Sequence, residues 1–214
     1  MRISPFKFER PDLLLLSHPR SGTHFLAASL ESHPKLHSRG ECFLGLKCPA
    51  SETEKINENI KKFIFVNKPD KINIAIVMYR DVNILENLCG PLADFRVIHL
   101  LRSPDCVARS IVQAKANKKL YGKKHKMHYK INEEVPPNNF VEFDNLEEIK
   151  AKIKKCQKEF CKRLKSHTNV LTVSYEELTG NRQVNQIPED FARRLLTFLN
   201  LEYYPLSNQL RKTS

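Results

Sequence analysis

The chain has 214 residues, of which 41% are hydrophobic and 28% charged, and it carries a formal net charge of +12. That length and balance point to one α/β-sized globular domain, with enough chain to bury a real core. No run approaches the roughly 18 apolar residues of a membrane span, and the first twelve residues hold no apolar signal region. A single domain over 1–214 in the cytoplasm, off the membrane, is therefore expected. The positive excess favours anionic partners.

Four consecutive leucines, Leu13 to Leu16, read as a strand buried on both faces. A polar turn with Arg20, Ser21, Gly22 and Thr23 follows, then a helix through Ala27, Ala28 and Leu30. Residues 35–42 read as a loop that contains Glu41, and residues 51–62 as a polar helix. Two short apolar runs, 63–66 and 72–78, are candidate strands split by Asn67-Lys68-Pro69-Asp70. Residues 81–92 read as a helix broken at Gly90-Pro91, and 95–101 (FRVIHLL) as a strong strand. A helix through about Asn117 comes next, and the basic, then Pro- and Asn-rich stretch 121–143 reads as a loop or lid. Asp144 opens another helix, with a capping-box-like Glu147 and an apolar face of Leu146, Ile149, Ile153, Phe160 and Leu164. Residues 169–174 form a third strand, and Pro188 starts the last helix. Strands alternating with helices imply a mainly parallel sheet covered on both faces.

The first turn is the chemically informative segment. A strand that runs into a helix N-terminus gathers unpaired N–H groups and the positive end of the helix dipole at one point. Arg20 adds a permanent charge there. The turn lacks the G-x-x-x-x-G-K-[ST] of a Walker loop, and the plainer reading has Ser21 capping the helix and Gly22 easing the turn. Arg102 sits at the carboxyl end of its strand, where open parallel sheets bind ligands. It would share an edge with Arg20, or else make an ion pair with Asp105. Six cysteines without a C-x-x-C read as reduced thiols, and the eight histidines show no metal-ligand spacing.

These segments together resemble a known family. Pro19-Arg20-Ser21-Gly22-Thr23 after a strand looks like the 5′-phosphosulfate loop of sulfotransferases that use PAPS (3′-phosphoadenosine 5′-phosphosulfate). Arg102 followed by Ser110 resembles their 3′-phosphate motif. Ser174-Tyr175-Glu176-Glu177-Leu178 is similar to the strand-end Y-E-x-L segment, whose tyrosine contacts the nucleotide. Leu210-Arg211-Lys212 is similar to the basic loop that closes over it. The four segments run in family order across nearly the whole chain.

The resemblance implies a P-loop-like three-layer fold, PAPS as donor, PAP (adenosine 3′,5′-bisphosphate) as product, no metal, and a hydroxyl-bearing acceptor such as a carbohydrate, peptide or small metabolite. It is closer to the tyrosylprotein and bacterial carbohydrate sulfotransferases than to the cytosolic phenol and steroid ones. In those groups a glutamate after a glycine acts as base, and Gly40-Glu41 matches it; a surface carboxylate is the plainer reading of Glu41. His24 departs from the family, which usually has Ser or Thr there, so its contact to the phosphosulfate is the open point of that loop. His18 and His37 are substitute bases, and Lys68 and Lys47 are candidate second cations, although surface lysines are the ordinary expectation. Rival readings are a nucleotide kinase, disfavoured by the missing Walker lysine, a non-enzymatic nucleic-acid binder using residues 115–130, and a fold that binds PAP without catalysis.

Overall fold

The computed structural model describes residues 9–41, 67–121, 145–179 and 187–207. Five strands form one sheet: β1 (Leu13–Ser17), β2 (Leu36–Glu41), β3 (Ile72–Met78), β4 (Arg96–Leu101) and β5 (Val170–Ser174). Their spatial order is β2-β3-β1-β4-β5, and every pairing is parallel. The helices are α1 (Thr23–Glu31), α2 (Val82–Cys89), α3 (Pro104–Tyr121), α4 (Leu146–Leu164), α5 (Tyr175–Thr179) and α6 (Glu189–Phe198).

The leucine run behaves as its composition demands. Leu13 to Leu16 are fully buried in the central strand, with alternate side chains serving opposite faces. Leu13 and Leu15 pack with Leu26 and Leu30 of α1 and with Phe191 and Leu195 of α6. Leu14 and Leu16 pack with Val82 and Leu85 of α2 and Leu164 of α4. Each such side chain contributes about 1.5–3 kcal/mol of transfer free energy, so β1 anchors both outer layers. On the α2–α4 side, Val107 and Ala108 of α3 pack on Ile153 of α4.

From β1 the chain crosses outward past β3, whereas from β4 it leaves in the opposite direction to β5. The carboxyl ends of β1 and β4 therefore flank a topological switch point, where such sheets leave a crevice.

Three expectations change. The segment holding Glu41 is not a loop but the edge strand β2, and its register against β3 shifts between Ser38 and Glu41. Gly40 in that shift has φ 71°, a bulge that re-aims the last residue of the strand. The helix after Arg102 continues to Tyr121 rather than ending near Asn117. Pro188 stands at the cap position before α6 rather than inside it. Asp144, the polar helix at 51–62, the run 63–66 and the remainder of the basic stretch beyond Tyr121 lie outside the described residues. Among those described, no helix is long and apolar enough to cross a membrane. Cys89, Cys106, Cys156 and Cys161 are free thiols.

Candidate functional site

The turn after β1 is built from unusual backbone. Arg20 has φ 70° and Gly22 has φ 95°, so two left-handed residues reverse the chain before α1 begins at Thr23. Gly22 occupies the cap position, and the helix has no side-chain cap hydrogen bond. Ser21 is thus not the cap its residue type predicts. Its side chain is fully buried, and its Oγ has no hydrogen-bond partner among the described residues. A buried hydroxyl beside an uncapped helix N-terminus is a cradle with unsatisfied polar capacity, a fit for an anion at this turn.

Three strand ends converge on it. The Nη1 of Arg102, just past β4, donates to the carbonyl O of Arg20 at 3.0 Å. Arg20 Nε donates to Ser110 Oγ on α3 at 3.1 Å. Tyr175, at the junction of β5 and α5, places its ring 4.4 Å from the Arg102 guanidinium carbon. That ring also lies directly over Gly22, where a Cβ would overlap Cδ2 and Cε2. Arg20, Ser21, Gly22, Thr23, Arg102, Ser110 and Tyr175 therefore form one cluster, as expected. The ion pair of Arg102 with Asp105 does not form. Asp105 is held instead by Arg109 at 2.7 Å and Lys150 at 3.8 Å, so Arg102 turns inward.

The electrostatics call for an anion. Burial lowers the pKa of Arg20, the neighbouring Arg102 charge lowers it further, and Glu41 opposes both. Two adjacent guanidiniums partly withdrawn from water repel each other, and a bound anion relieves that repulsion.

Glu41 ends the edge strand on this same side of the sheet. His24 Nε2, on the first turn of α1, donates to its Oε1 at 2.7 Å, and the glutamate side chain is only 14% exposed. Glu41 is therefore not a surface carboxylate, and His24 faces it rather than merely packing on the helix. His18 follows β1 directly. Its pKa is lowered by burial first, against a raising contact to Pro19 O, with Arg80 lowering it further.

Two candidates fall elsewhere. His37 pairs with Asn73 near the amino end of β2, 3.1 Å from Glu31, and Lys68 precedes β3, so both stand at the opposite edge of the sheet. Lys47, Arg211 and Lys212 lie outside the described residues.

Several site residues were given no role by the sequence reading. Gln157 of α4 is buried and donates through Nε2 to Arg102 O at 2.8 Å. Its signal was a polar residue four positions after Ile153 on the apolar stripe of the helix. Glu176 Oε1 accepts from Ser103 N–H at 3.1 Å, holding the same segment from the other side. Arg80 and Asp81 follow β3 at the functional edge, with Arg80 Nε 3.4 Å from Asp81 Oδ1. Burial raises the pKa of Asp81; Arg80 opposes this and the charge of Glu41 adds to it.

Known proteins resemble the chain as follows. Residues 10–212 match the family described as "Sulfotransferase domain". The sulfotransferase domain from the curacin biosynthetic pathway superposes with TM-score 0.55 at 16% identity, covering 91% of this chain and 75% of that one. Mouse sulfotransferase SULT7A1 complexed with PAP gives TM-score 0.52 at 17% identity, over 93% of this chain and 61% of that one. The sulfotransferase from Alicyclobacillus acidocaldarius gives 0.51 at 13%, over 96% and 87%. No curated protein sequence matches. The fold is thus the P-loop-like fold of sulfotransferases.

Proposed function

We propose, since the chain belongs to the sulfotransferase domain family, that its turn-and-strand-end cluster binds PAPS and that Glu41 serves the transfer of sulfonate to an acceptor hydroxyl. The family is one of enzymes that use PAPS and act on hydroxyl acceptors. The observation that carries the site assignment is Arg102, which lies on the Tyr175 ring and bonds the Arg20 carbonyl, beside the buried Ser21 hydroxyl that has no partner among the described residues.

In this reading the turn Ser21–Thr23 and Arg20 hold the phosphosulfate end of the donor. Arg102 and Ser110 hold the 3′-phosphate, and Tyr175 covers the nucleotide. Arg211 and Lys212 are the remaining candidate contacts to it. The donor supplies an activated sulfonate: a bond forms from the acceptor oxygen to sulfur as the sulfur–oxygen bond to the phosphate breaks in line. Negative charge grows on the departing oxygen, and positioning with fixed electrostatics dominates such transfers. The N–H groups of the turn and the Arg20 guanidinium neutralise that charge without reorganising. Glu41 accepts the proton of the acceptor hydroxyl. His24 is a positioning residue that orients the Glu41 carboxylate, and the phosphosulfate contact expected of it passes to its neighbours. Glu41 as base would accord with the likeness to the tyrosylprotein and bacterial carbohydrate groups read in the sequence. The acceptor is a carbohydrate, peptide or small metabolite.

Thermal unfolding with added PAP, compared with ATP–magnesium, tests the donor site. PAP is expected to raise the Tm and ATP–magnesium to leave it nearly unchanged; no response to PAP overturns the reading.

A further inference from the structure

A cavity of about 470 Å³ opens beside the cluster on the α3–α4 side of the sheet. Arg20 belongs to both, so the cavity is continuous with the place where sulfonate would be transferred. Its other walls come from His18 after β1, Tyr79 and Arg80 after β3, and Ile111 and Ala114 of α3. The volume accommodates a compact molecule.

The walls are firm and mostly apolar. Tyr79 stacks on Phe160 with ring centroids 4.1 Å apart and an interplanar angle of 7°. Its hydroxyl is turned away into a 2.5 Å bond with His99 Nε2. His18 Nδ1 donates to Pro19 O at 2.9 Å, which leaves Nε2 without a proton. Burial favours that neutral form.

The charged side chains on the walls are two guanidiniums, with no carboxylate among the described residues that line the cavity. Arg80 is 62% exposed, and its ion pair with Asp81 runs from Nε to Oδ1 at 3.4 Å. Its two terminal nitrogens make no hydrogen bond among the described residues. They make a planar two-pronged donor set of the kind that binds a carboxylate in bidentate fashion.

We propose that this cavity is the acceptor site and that Arg80 selects a compact hydroxyl compound with an apolar body and an acidic substituent. The inference rests on the sulfonate-transfer reading and narrows its acceptor to small hydroxy acids. The hydroxyl would lie at the Arg20 end of the cavity, the end whose charge interacts with Glu41, the apolar body against Ile111, Ala114 and Tyr79, and the acid group at Arg80.

The test uses matched pairs of small aromatic and aliphatic hydroxy acids and their methyl esters, titrated calorimetrically into protein saturated with PAP. At least one acid is expected to bind tenfold or more tightly than its ester. Arg80→Gln should erase that difference while PAP affinity stays unchanged. Ala114→Phe, which fills the cavity, should weaken acid and ester alike. If no acid binds ahead of its ester, or if Arg80→Gln retains the preference, the proposal falls while the donor reading stands. If PAP itself does not bind, the donor reading fails first, and the acceptor assignment falls with it.

Discussion

The ring of Tyr175 lies so close over Gly22 that there is no room for even a methyl group between them. Residues 153 positions apart in the chain thus share one van der Waals surface. The contact makes the turn after β1 and the β5–α5 junction a single unit, and Gly22 is required twice over. Its φ of 95° is disfavoured for a residue with a Cβ, and the Cβ would displace the tyrosine.

Gly22→Ala is expected to destabilise the protein and to weaken PAP binding tenfold or more. The left-handed backbone alone costs about 1–2 kcal/mol in an L-residue. In a Tyr175→Ala background the clash is gone and only the backbone cost remains. The stability loss from Gly22→Ala, measured by urea denaturation, should therefore be smaller there. Equal losses in both backgrounds would show that the ring contact has no energetic weight.

Arg102→Lys should behave as a severe substitution. A lysine cannot hold the Arg20 carbonyl and lie flat on the Tyr175 ring together. Loss of a charged hydrogen bond, about 1.5–3 kcal/mol, predicts PAP binding weakened roughly ten- to hundredfold by calorimetry. Gln157→Leu leaves the partly buried Arg102 carbonyl without this bond, with an expected stability loss of about 1 kcal/mol. A neutral result for Gln157→Leu would remove it from the support of the site.

Glu41→Gln should keep PAP affinity and lower kcat by about 10² to 10⁴-fold, the usual contribution of a general base. His24→Ala should lower kcat less, because the carboxylate loses the donor that orients it but keeps its capacity to accept the proton. Full turnover in Glu41→Gln with a competent acceptor would transfer the base role elsewhere, with His18 the next group at this edge.

His99 gives the fold a pH dependence. It is fully buried in β4, and burial lowers its pKa from 6.5 to about 4. The unfolded chain binds the proton more readily, so this stabilisation is complete above pH 6.5 and is lost as pH falls toward 4. The shift corresponds to about 3 kcal/mol at most. Urea denaturation at pH 7 and pH 4.5 should show this decline, and His99→Gln should reduce it. An unchanged pH dependence in the variant would assign the loss to other groups.

Much of the fold was legible because it is written locally. Four leucines in a row announce a strand covered on both faces, and FRVIHLL does the same for β4. The stripe Ile153, Phe160, Leu164 announces the buried side of α4. The edge strand β2 was not legible, because LHSRGE has neither apolar alternation nor β-branched residues. It is a strand because β3 offers it a parallel edge, and burial of only Leu36 suffices at a sheet margin.

The sequence by itself determined the turn after β1, the residue types at its mouth and the parallel α/β plan, since these depend on neighbours within one strand and one helix turn. Tertiary structure decided which distant residues meet there. The strand order sets β1 between β3 and β4, so Arg102 turns in to Arg20, whereas Lys68, ahead of β3, is left at the opposite end of the sheet. It sets β2 parallel to the rest, so Glu41 reaches His24 and His37 does not. Those outcomes follow from how the sheet buries its two faces, a long-range condition that no local window of the chain contains.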